Sequence, residues 1–226
     1  MNLRHVRLGV LTAALFALLA VAAPAQTDAP DQFSFAFTTA KAKAPAGYSV
    51  EGEFPRRRII DQIAISFPAG TKFDTAAVTR CTASEEEVSN NPDGVAGACP
   101  AESKIGTGKG TAYLGDNPDP VVFDLGLYNR KGGAILDIML NGKTAFSAGP
   151  TITGRKMTIP LSLTPSLNAR ITAFELSVPK AGTKRKPYLR TPATCPAAKK
   201  LTASLTAREN GAGSETTKDT TVCKRS

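Results

Sequence analysis

The sequence predicts an all-β protein, an antiparallel β-sandwich with one short helix in a disulfide-closed crossover. Three observations support this prediction. Apolar residues alternate with polar or small residues in about ten segments, and a period of two is typical of strands. Glycine, proline and asparagine separate these segments as turn residues do. One segment alone has a clear helix start, which argues against a helical or α/β architecture.

Residues 1–25 have the pattern of a signal peptide. Arg4 and Arg7 precede an uncharged apolar run from Leu8 to Ala22, and Ala23-Pro24-Ala25 has the small residues of a cleavage site. The apolar run is shorter than the roughly 20 residues that a membrane-spanning helix needs. We therefore expect a secreted, extracellular protein with no transmembrane segment after cleavage.

Beyond the predicted signal peptide, we expect a linker at 26–32 and one β-sandwich domain at 33–226, with a division into two subdomains near 115–120 as an alternative. The only histidine, His5, lies in the signal peptide, and the chain has no tryptophan. The mature chain therefore excludes Ser-His-Asp and Cys-His mechanisms and histidine metal sites. We expect no enzymatic activity, no cofactor and no metal.

The first strands are predicted from phenylalanine and isoleucine spacing. Phe33, Phe35 and Phe37 alternate with small residues, a second strand covers 48–54, and a third covers 59–67. A turn with Pro45 and Gly47 follows the first segment, and Pro55 and Pro68 directly follow the other two.

A crossover follows these strands. Ser84 precedes three glutamates, and an N-cap serine with acids in the first turn is typical of a helix start. Four cysteines in a secreted chain predict two disulfides, for which three connectivities exist. We favour the sequential one because turn signals lie near the middle of each interval, at Asn91–Gly94 and at Asn210-Gly211. The predicted bonds are Cys81–Cys99 and Cys195–Cys223.

The remaining strands follow the crossover. They are predicted at 104–114, 121–128, 134–140, 156–163 and 170–178, with a closing hairpin of 201–208 and 216–222. Gly106-Thr107-Gly108-Lys109-Gly110 lies inside the first of them. A phosphate-binding loop would open a helix, and no helix signal follows here. We interpret these glycines as a twisted or bulged strand.

Two cysteine motifs carry a resemblance to known proteins. Cys99-Pro100-Ala101-Glu102-Ser103-Lys104-Ile105-Gly106 has the form CPxxSxIG, and Thr191–Pro196 has the form TPxTCP and leads into the hairpin closed by Cys223. The chain resembles uncharacterised secreted β-rich proteins of actinobacteria over about residues 55–226. The resemblance implies a β-rich fold and secretion, and it implies no activity.

Basic clusters are the best binding candidates in the sequence. The formal net charge is +9 at pH 7 and becomes +7 when the two arginines of the signal peptide are removed. A positive excess favours anionic partners such as cell-envelope polymers, although solvated loops have the same composition. We expect no nucleic-acid partner, because no aromatic residues are interleaved with the charges. The candidate polyanion-binding residues are Arg56, Arg57, Arg58, Lys184, Arg185 and Lys186.

Acidic residues offer weaker hypotheses. The oxygen-rich stretches 90–93 and 116–119 contain ligand types that calcium uses, but this composition is also that of ordinary turns. Asp124, Asp137 and Glu175 lie on predicted strands and could form the carboxylate pair of a glycosidase. A chain without tryptophan and with four tyrosines is poor in the aromatic platforms that such sites use for sugars.

These observations predict a secreted non-catalytic structural or adhesion-like module that contacts the cell envelope or other anionic extracellular polymers. The alternative is an extracellular glycan- or small-ligand-binding β-sandwich domain. A flat surface without a pocket would favour the first function.

Overall fold

The computed structural model describes residues 31–161 and 164–225, so the predicted signal peptide lies outside the described residues. Fourteen strands are present in the described residues. In chain order they are β1 (Gln32–Phe37), β2 (Tyr48–Glu53), β3 (Ile60–Ser66), β4 (Lys72–Phe73), β5 (Lys104–Leu114), β6 (Val121–Arg130), β7 (Gly133–Leu140), β8 (Lys143–Ala148), β9 (Thr151–Thr153), β10 (Lys156–Pro160), β11 (Ala169–Val178), β12 (Leu189–Arg190), β13 (Lys200–Glu209) and β14 (Ser214–Val222). Two short helices, α1 (Glu85–Asn90) and α2 (Gly94–Ala98), and a 3-10 turn at Ala101–Ser103 lie between β4 and β5.

Twelve of the strands form one antiparallel sheet in the order β1-β2-β11-β5-β6-β7-β9-β10-β3-β13-β14, with β8 paired to β7. The two outermost strands also approach each other. The Phe35 N–H donates to Asp219 Oδ2 at 2.8 Å, and Thr217 Oγ1 donates to the Asp31 carbonyl at 3.2 Å. The sheet is therefore nearly closed around a core, and the predicted all-β antiparallel fold is confirmed.

Two strands of this sheet were not predicted. The sequence of β8, Lys-Thr-Ala-Phe-Ser-Ala, has a single large apolar residue, and β9 has only three residues. Pairing with β7 and β10 forms these strands in spite of their weak local pattern. The segment 115–120, considered as a division between subdomains, connects β5 and β6, which are neighbours in the sheet.

The pairing directions define two ends of the sheet. Tyr48 at the start of β2 pairs with Val178 at the end of β11, whereas Leu114 at the end of β5 pairs with Ala169 at the start of β11. We call the end near Leu114 the upper end and the end near Val178 the lower end. The connections at the upper end include 54–59, 115–120, 141–142 and 164–168. Those at the lower end include 38–47, 131–132, 179–199 and 223–225.

Aromatic side chains fill the core towards the lower end. Tyr48, Phe67, Phe73 and Tyr188 pack edge to face, with ring centroids 4.8 Å apart for Tyr48 and Phe67 and 5.9 Å apart for Phe73 and Tyr188. Such geometry places the positive edge of one ring on the negative face of the next. The same packing does not extend to the upper end, where the inward side chains are mainly aliphatic.

The crossover between β4 and β5 packs on the outer face of β6 and β7. Ser84 Oγ accepts from the Glu87 N–H at 3.1 Å, and the Glu87 carboxylate accepts from the Ser84 N–H, so the predicted cap begins α1. Val88 of α1 and Val95 of α2 contact Tyr128 and Ile135 in a small second core. The crossover contains two short helices where one was predicted.

Both predicted disulfides are confirmed. Cys81 and Cys99 are bonded beneath the crossover, and Cys195 and Cys223 join the segment before β13 to the end of β14. Closing loops of these lengths contributes about 3 kcal/mol each in the chain-entropy account. Two disulfides are consistent with an extracellular protein. Across the described ranges, no helix is both long and apolar enough to cross a membrane.

Candidate functional site

The upper end of the sheet contains a cavity of about 320 Å³, which we call the apolar cavity. It lies between β3, β5, β6, β7, β10 and β11, and β8 and the residues after β10 complete its wall. The lining residues are Ile63, Ala112, Leu114, Val121, Phe123, Leu125, Leu136, Ile138, Leu140, Ala145, Phe146, Ile159, Leu161, Thr164, Leu167, Ala169, Ile171, Phe174 and Leu176.

Glycines on β5 allow neighbouring strands and side chains to pack closely against this strand. Because side chains alternate along a strand, Gly106, Gly108, Gly110 and Ala112 share one face of β5. The neighbouring Phe123 ring occupies the place of a Gly110 side chain, since a Cβ at Gly110 would lie 2.2 Å from Phe123 Cζ. The register also shifts near the start of this strand, between Lys104 and Gly106, which agrees with the bulge expected from the glycines.

The lining offers almost no polar group to a ligand. Thr164 carries the one polar side chain among the described lining residues, and its hydroxyl lies 2.5 Å from the Ile60 carbonyl and 2.8 Å from the Leu161 carbonyl. Its hydrogen is therefore already engaged within the protein. A cavity without hydrogen-bonding partners holds water poorly and favours an apolar occupant.

The cavity is open to solvent at its rim. The rim is apolar as well, because Leu114 and Leu167 are 37% and 51% exposed while they line the cavity.

The predicted basic residues do not form one site. Arg56, Arg57 and Arg58 follow β2 at the upper end, whereas Lys184, Arg185 and Lys186 follow β11 at the lower end, as the antiparallel pairing of β2 and β11 requires.

Arg58 differs from its two neighbours in the run. Its side chain is 8% exposed and contacts the buried Asp31 carboxylate, with Glu215 at 3.1 Å and Glu209 at 3.3 Å. The expectation that Arg58 belongs to an exposed basic cluster is therefore corrected, because its guanidinium is buried among carboxylates. Arg56 is exposed and stacks on the Tyr113 ring, with Cζ 3.7 Å from the ring centroid.

Lys184, Arg185 and Lys186 are exposed at the tip of a small hairpin. Gly182 bridges to Pro187 at its base, and the Thr183 N–H donates to the Lys186 carbonyl at 3.0 Å. The Arg190 guanidinium braces the tip by donating to the carbonyls of Lys184 and Arg185, both at 3.5 Å. This hairpin therefore presents three cations together at the lower end.

The calcium candidates do not converge, whereas two of the three glycosidase candidates, Asp124 and Glu175, line one surface pocket. The calcium candidates lie in two separate connections, and Asn91 and Asn117 accept from the N–H groups of Asp93 and Asp119, as turn residues do. Within the described part of the chain, no cluster of three acidic, cysteine or histidine side chains could hold a metal ion. The glycosidase candidates Asp124 and Glu175 lie on the exposed face of the sheet, and Lys109 pairs with both of them in register.

Asp137 is buried on the outer face of β7, below α2. The Val95 N–H donates to Thr144 Oγ1 at 3.3 Å, and Thr144 Oγ1 donates to Asp137 Oδ1 at 2.8 Å. Burial raises the pKa of Asp137, while the Thr144 hydrogen bond and the charge of Lys104 oppose the increase.

Asp137→Asn should therefore gain stability relative to the wild type as the pH rises. In the unfolded chain Asp137 ionises near its ordinary pKa, but in the folded protein it ionises only at higher pH. Between these two values the wild type loses stability with increasing pH, and the asparagine variant has no such loss. Urea unfolding at pH 3.5 and pH 7 measures the difference. If the free energies of unfolding of the wild type and the variant differ by the same amount at both pH values, the raised pKa of Asp137 is contradicted.

Comparison with known proteins provides no further assignment. No protein-family model matches the chain, and no curated protein is significantly similar to it. The apolar cavity was not predicted from the sequence. No local sequence pattern indicates it, because its lining residues come from strands that are distant from one another in the sequence.

Proposed function

We propose that this protein is a secreted, non-catalytic binding protein for a small apolar ligand, which it holds in the apolar cavity. The observation that supports this proposal most strongly is a 320 Å³ cavity with one polar side chain among its described lining residues. The volume falls in the range of roughly 300–1,000 Å³ that is typical of ligand pockets. The predicted signal peptide and the two disulfides support an extracellular location.

The cavity also bounds the size of the ligand. At the ~30 Å³ that a water molecule occupies in the liquid, the cavity has room for roughly ten methylene-sized groups. Each methylene transferred from water contributes about 0.8 kcal/mol to binding. A single medium-length hydrocarbon chain therefore fits both the volume and the chemistry of the lining.

A titration with decanol tests this function. We expect saturable binding of one molecule per protein, with a negative heat-capacity change because apolar surface is buried on both partners. Calorimetry at several temperatures measures both quantities. Absence of saturable binding by decanol and by decane-derived fluorescent probes would overturn the proposed function.

A second candidate function rests on the lower end of the sheet. Three of its segments, 38–47, 179–199 and 223–225, contain no aspartate or glutamate. Backbone hydrogen bonds tie them together, from Ala42 N–H to the Lys224 carbonyl at 2.9 Å and from Lys43 N–H to the Pro192 carbonyl at 2.8 Å. The gathered cations favour contact with an anionic cell-envelope polymer. They are Lys41, Lys43, Lys180, Lys184, Arg185, Lys186, Arg190, Lys199, Lys224 and Arg225.

Replacing the hairpin cations should weaken binding to polyanions. The variant with Lys184, Arg185 and Lys186 changed to serine is expected to elute from an anionic resin at clearly lower salt than the wild type. Changing Lys109, Lys156 and Lys218 to serine removes the same charge from exposed positions on other parts of the surface and provides the control. Equal elution of the two variants would show that net charge alone determines retention.

A further inference from the structure

The wall of the apolar cavity has a seam between β8 and β10. β8 pairs with β7, whereas β10 pairs with β9 and β3, and no ladder between β8 and β10 exists among the described residues. The Leu161 N–H donates to the Asp61 carbonyl on β3. Because successive backbone nitrogens of a strand point to opposite sides, the nitrogen of Pro160 points away from β3 and towards the seam. A proline at this position leaves no N–H group without a partner. The sequence therefore permits an open seam at little cost in hydrogen bonding.

A bulge at Ala145 lies on the β8 side of this seam. Ile138 of β7 pairs with Phe146 and Met139 pairs with Thr144, so Ala145 is the extra residue on β8. Ala145 is exposed to solvent and also lines the apolar cavity. Bulges of this kind redirect side chains and interrupt a ladder. The small methyl group of Ala145 thus lies in the cavity wall beside the seam.

A second depression lies outside the seam, and we call it the outer groove. It has a volume of about 560 Å³ and runs between the helical crossover and β8. Ala145, Phe146 and Leu161 line both the outer groove and the apolar cavity, so the two spaces share one wall.

The crossover fixes the far side of the outer groove. Gly94 at the start of α2 has a φ of +59°, and a Cβ there would lie 2.0 Å from Thr144 Oγ1. The glycine therefore allows α2 to lie directly against β8. Ser89 and Asn91 add polar atoms to this side of the groove, and Lys143 is the one charged side chain among its described lining residues.

We propose that the ligand is a single-chain amphiphile with an anionic head, whose hydrocarbon tail passes through the seam at Ala145 into the apolar cavity. The head then lies in the outer groove beside Lys143. This inference rests on the proposed function, because it assigns the polar part of the ligand that the cavity binds. The apolar cavity has no group for a charged head, whereas the outer groove has polar atoms and a cation.

Two ligands with the same chain length separate head recognition from tail binding. We expect the wild type to bind decanoate about threefold more tightly than decanol, as an exposed ion pair with Lys143 allows. Lys143→Glu should abolish or reverse this preference and leave decanol affinity unchanged. Lys143 is exposed beside the Asn141-Gly142 turn, so this substitution does not disturb the core. Calorimetry measures the affinities of decanol and decanoate for the wild type and for Lys143→Glu.

Stopped-flow kinetics test the passage. Ala145→Trp places a large ring in the seam, so we expect the association and dissociation rates of decanoate to fall at least tenfold. Ala198→Trp, at an exposed alanine at the lower end, adds the same side chain away from the seam and should leave both rates unchanged. Thermal unfolding of each variant confirms that it is folded before rates are compared.

The outcomes distinguish this inference from the proposed function. If neither decanol nor decanoate binds, the proposed function fails and this inference fails with it. If both ligands bind with equal affinity in the wild type and in Lys143→Glu, the head site is wrong while the proposed function stands. Unchanged rates in Ala145→Trp would show that the ligand does not pass through the seam.

Discussion

Arg58→Met should lower the free energy of unfolding by about 3–5 kcal/mol, the cost of leaving one partner of a buried ion pair alone. Arg58 contacts Asp31, which precedes β1, and Glu215 of β14, so one side chain joins the two edges of the nearly closed sheet. Its Nη2 also lies 3.5 Å from the Ala207 carbonyl on β13. Methionine retains the apolar stem and removes only the charge and the hydrogen bonds.

Urea unfolding measures this effect, and Arg185→Met provides the matched control because Arg185 is exposed at the tip of the lower hairpin. We expect the control to differ from the wild type by less than about 0.5 kcal/mol. Adding Asp31→Asn to Arg58→Met should restore part of the stability, since it removes the buried charge that has lost its partner. A loss below about 1 kcal/mol in Arg58→Met would show that the ion pair does not close the sheet.

Ala112→Phe should reduce the affinity for decanol at least tenfold and also stabilise the protein. Ala112 is buried on the inward face of β5 and lines the apolar cavity, so a ring there enters existing space. Burying the added apolar surface should contribute about 1–2 kcal/mol to the free energy of unfolding. A gain in stability together with a loss of binding is typical of a residue change that fills a ligand site.

Val122→Phe is the control for this experiment. Val122 lies on the neighbouring strand β6, is 63% exposed, and presents its side chain to solvent. The same aromatic ring there should change neither affinity nor stability appreciably. Calorimetry and thermal unfolding on the three proteins measure both quantities. Retained decanol affinity in Ala112→Phe would place the ligand outside the apolar cavity.

Local sequence patterns predicted most of the fold. The alternation in β6 and β13 and the glycine and asparagine turns are short-range signals, because they follow from side-chain periodicity and backbone conformation. The disulfide pairing could be predicted for the same reason, since a turn midway between two cysteines returns the chain to its start. β8 lacked such a pattern and forms only because β7 offers a pairing edge.

Long-range pairing accounts for what the sequence could not predict. Arg56, Arg57 and Arg58 read as one basic run, yet Arg58 lies near acids that are 27 and 157 positions away in the chain. No local pattern distinguishes it from its neighbours. The apolar cavity is lined by side chains from distant strands, such as Ile63, Phe123 and Ile171, so no local pattern indicates it.

We expect the interior of the sheet to bind the ligand's hydrocarbon chain. A crystal structure of the protein saturated with decanoate that carries bromine on its terminal carbon tests this claim most directly. We predict an anomalous bromine peak inside the apolar cavity, among Phe123, Ile138 and Ile171. A bromine peak on the outer face of the sheet, or saturation in solution without a peak in the cavity, would contradict the claim.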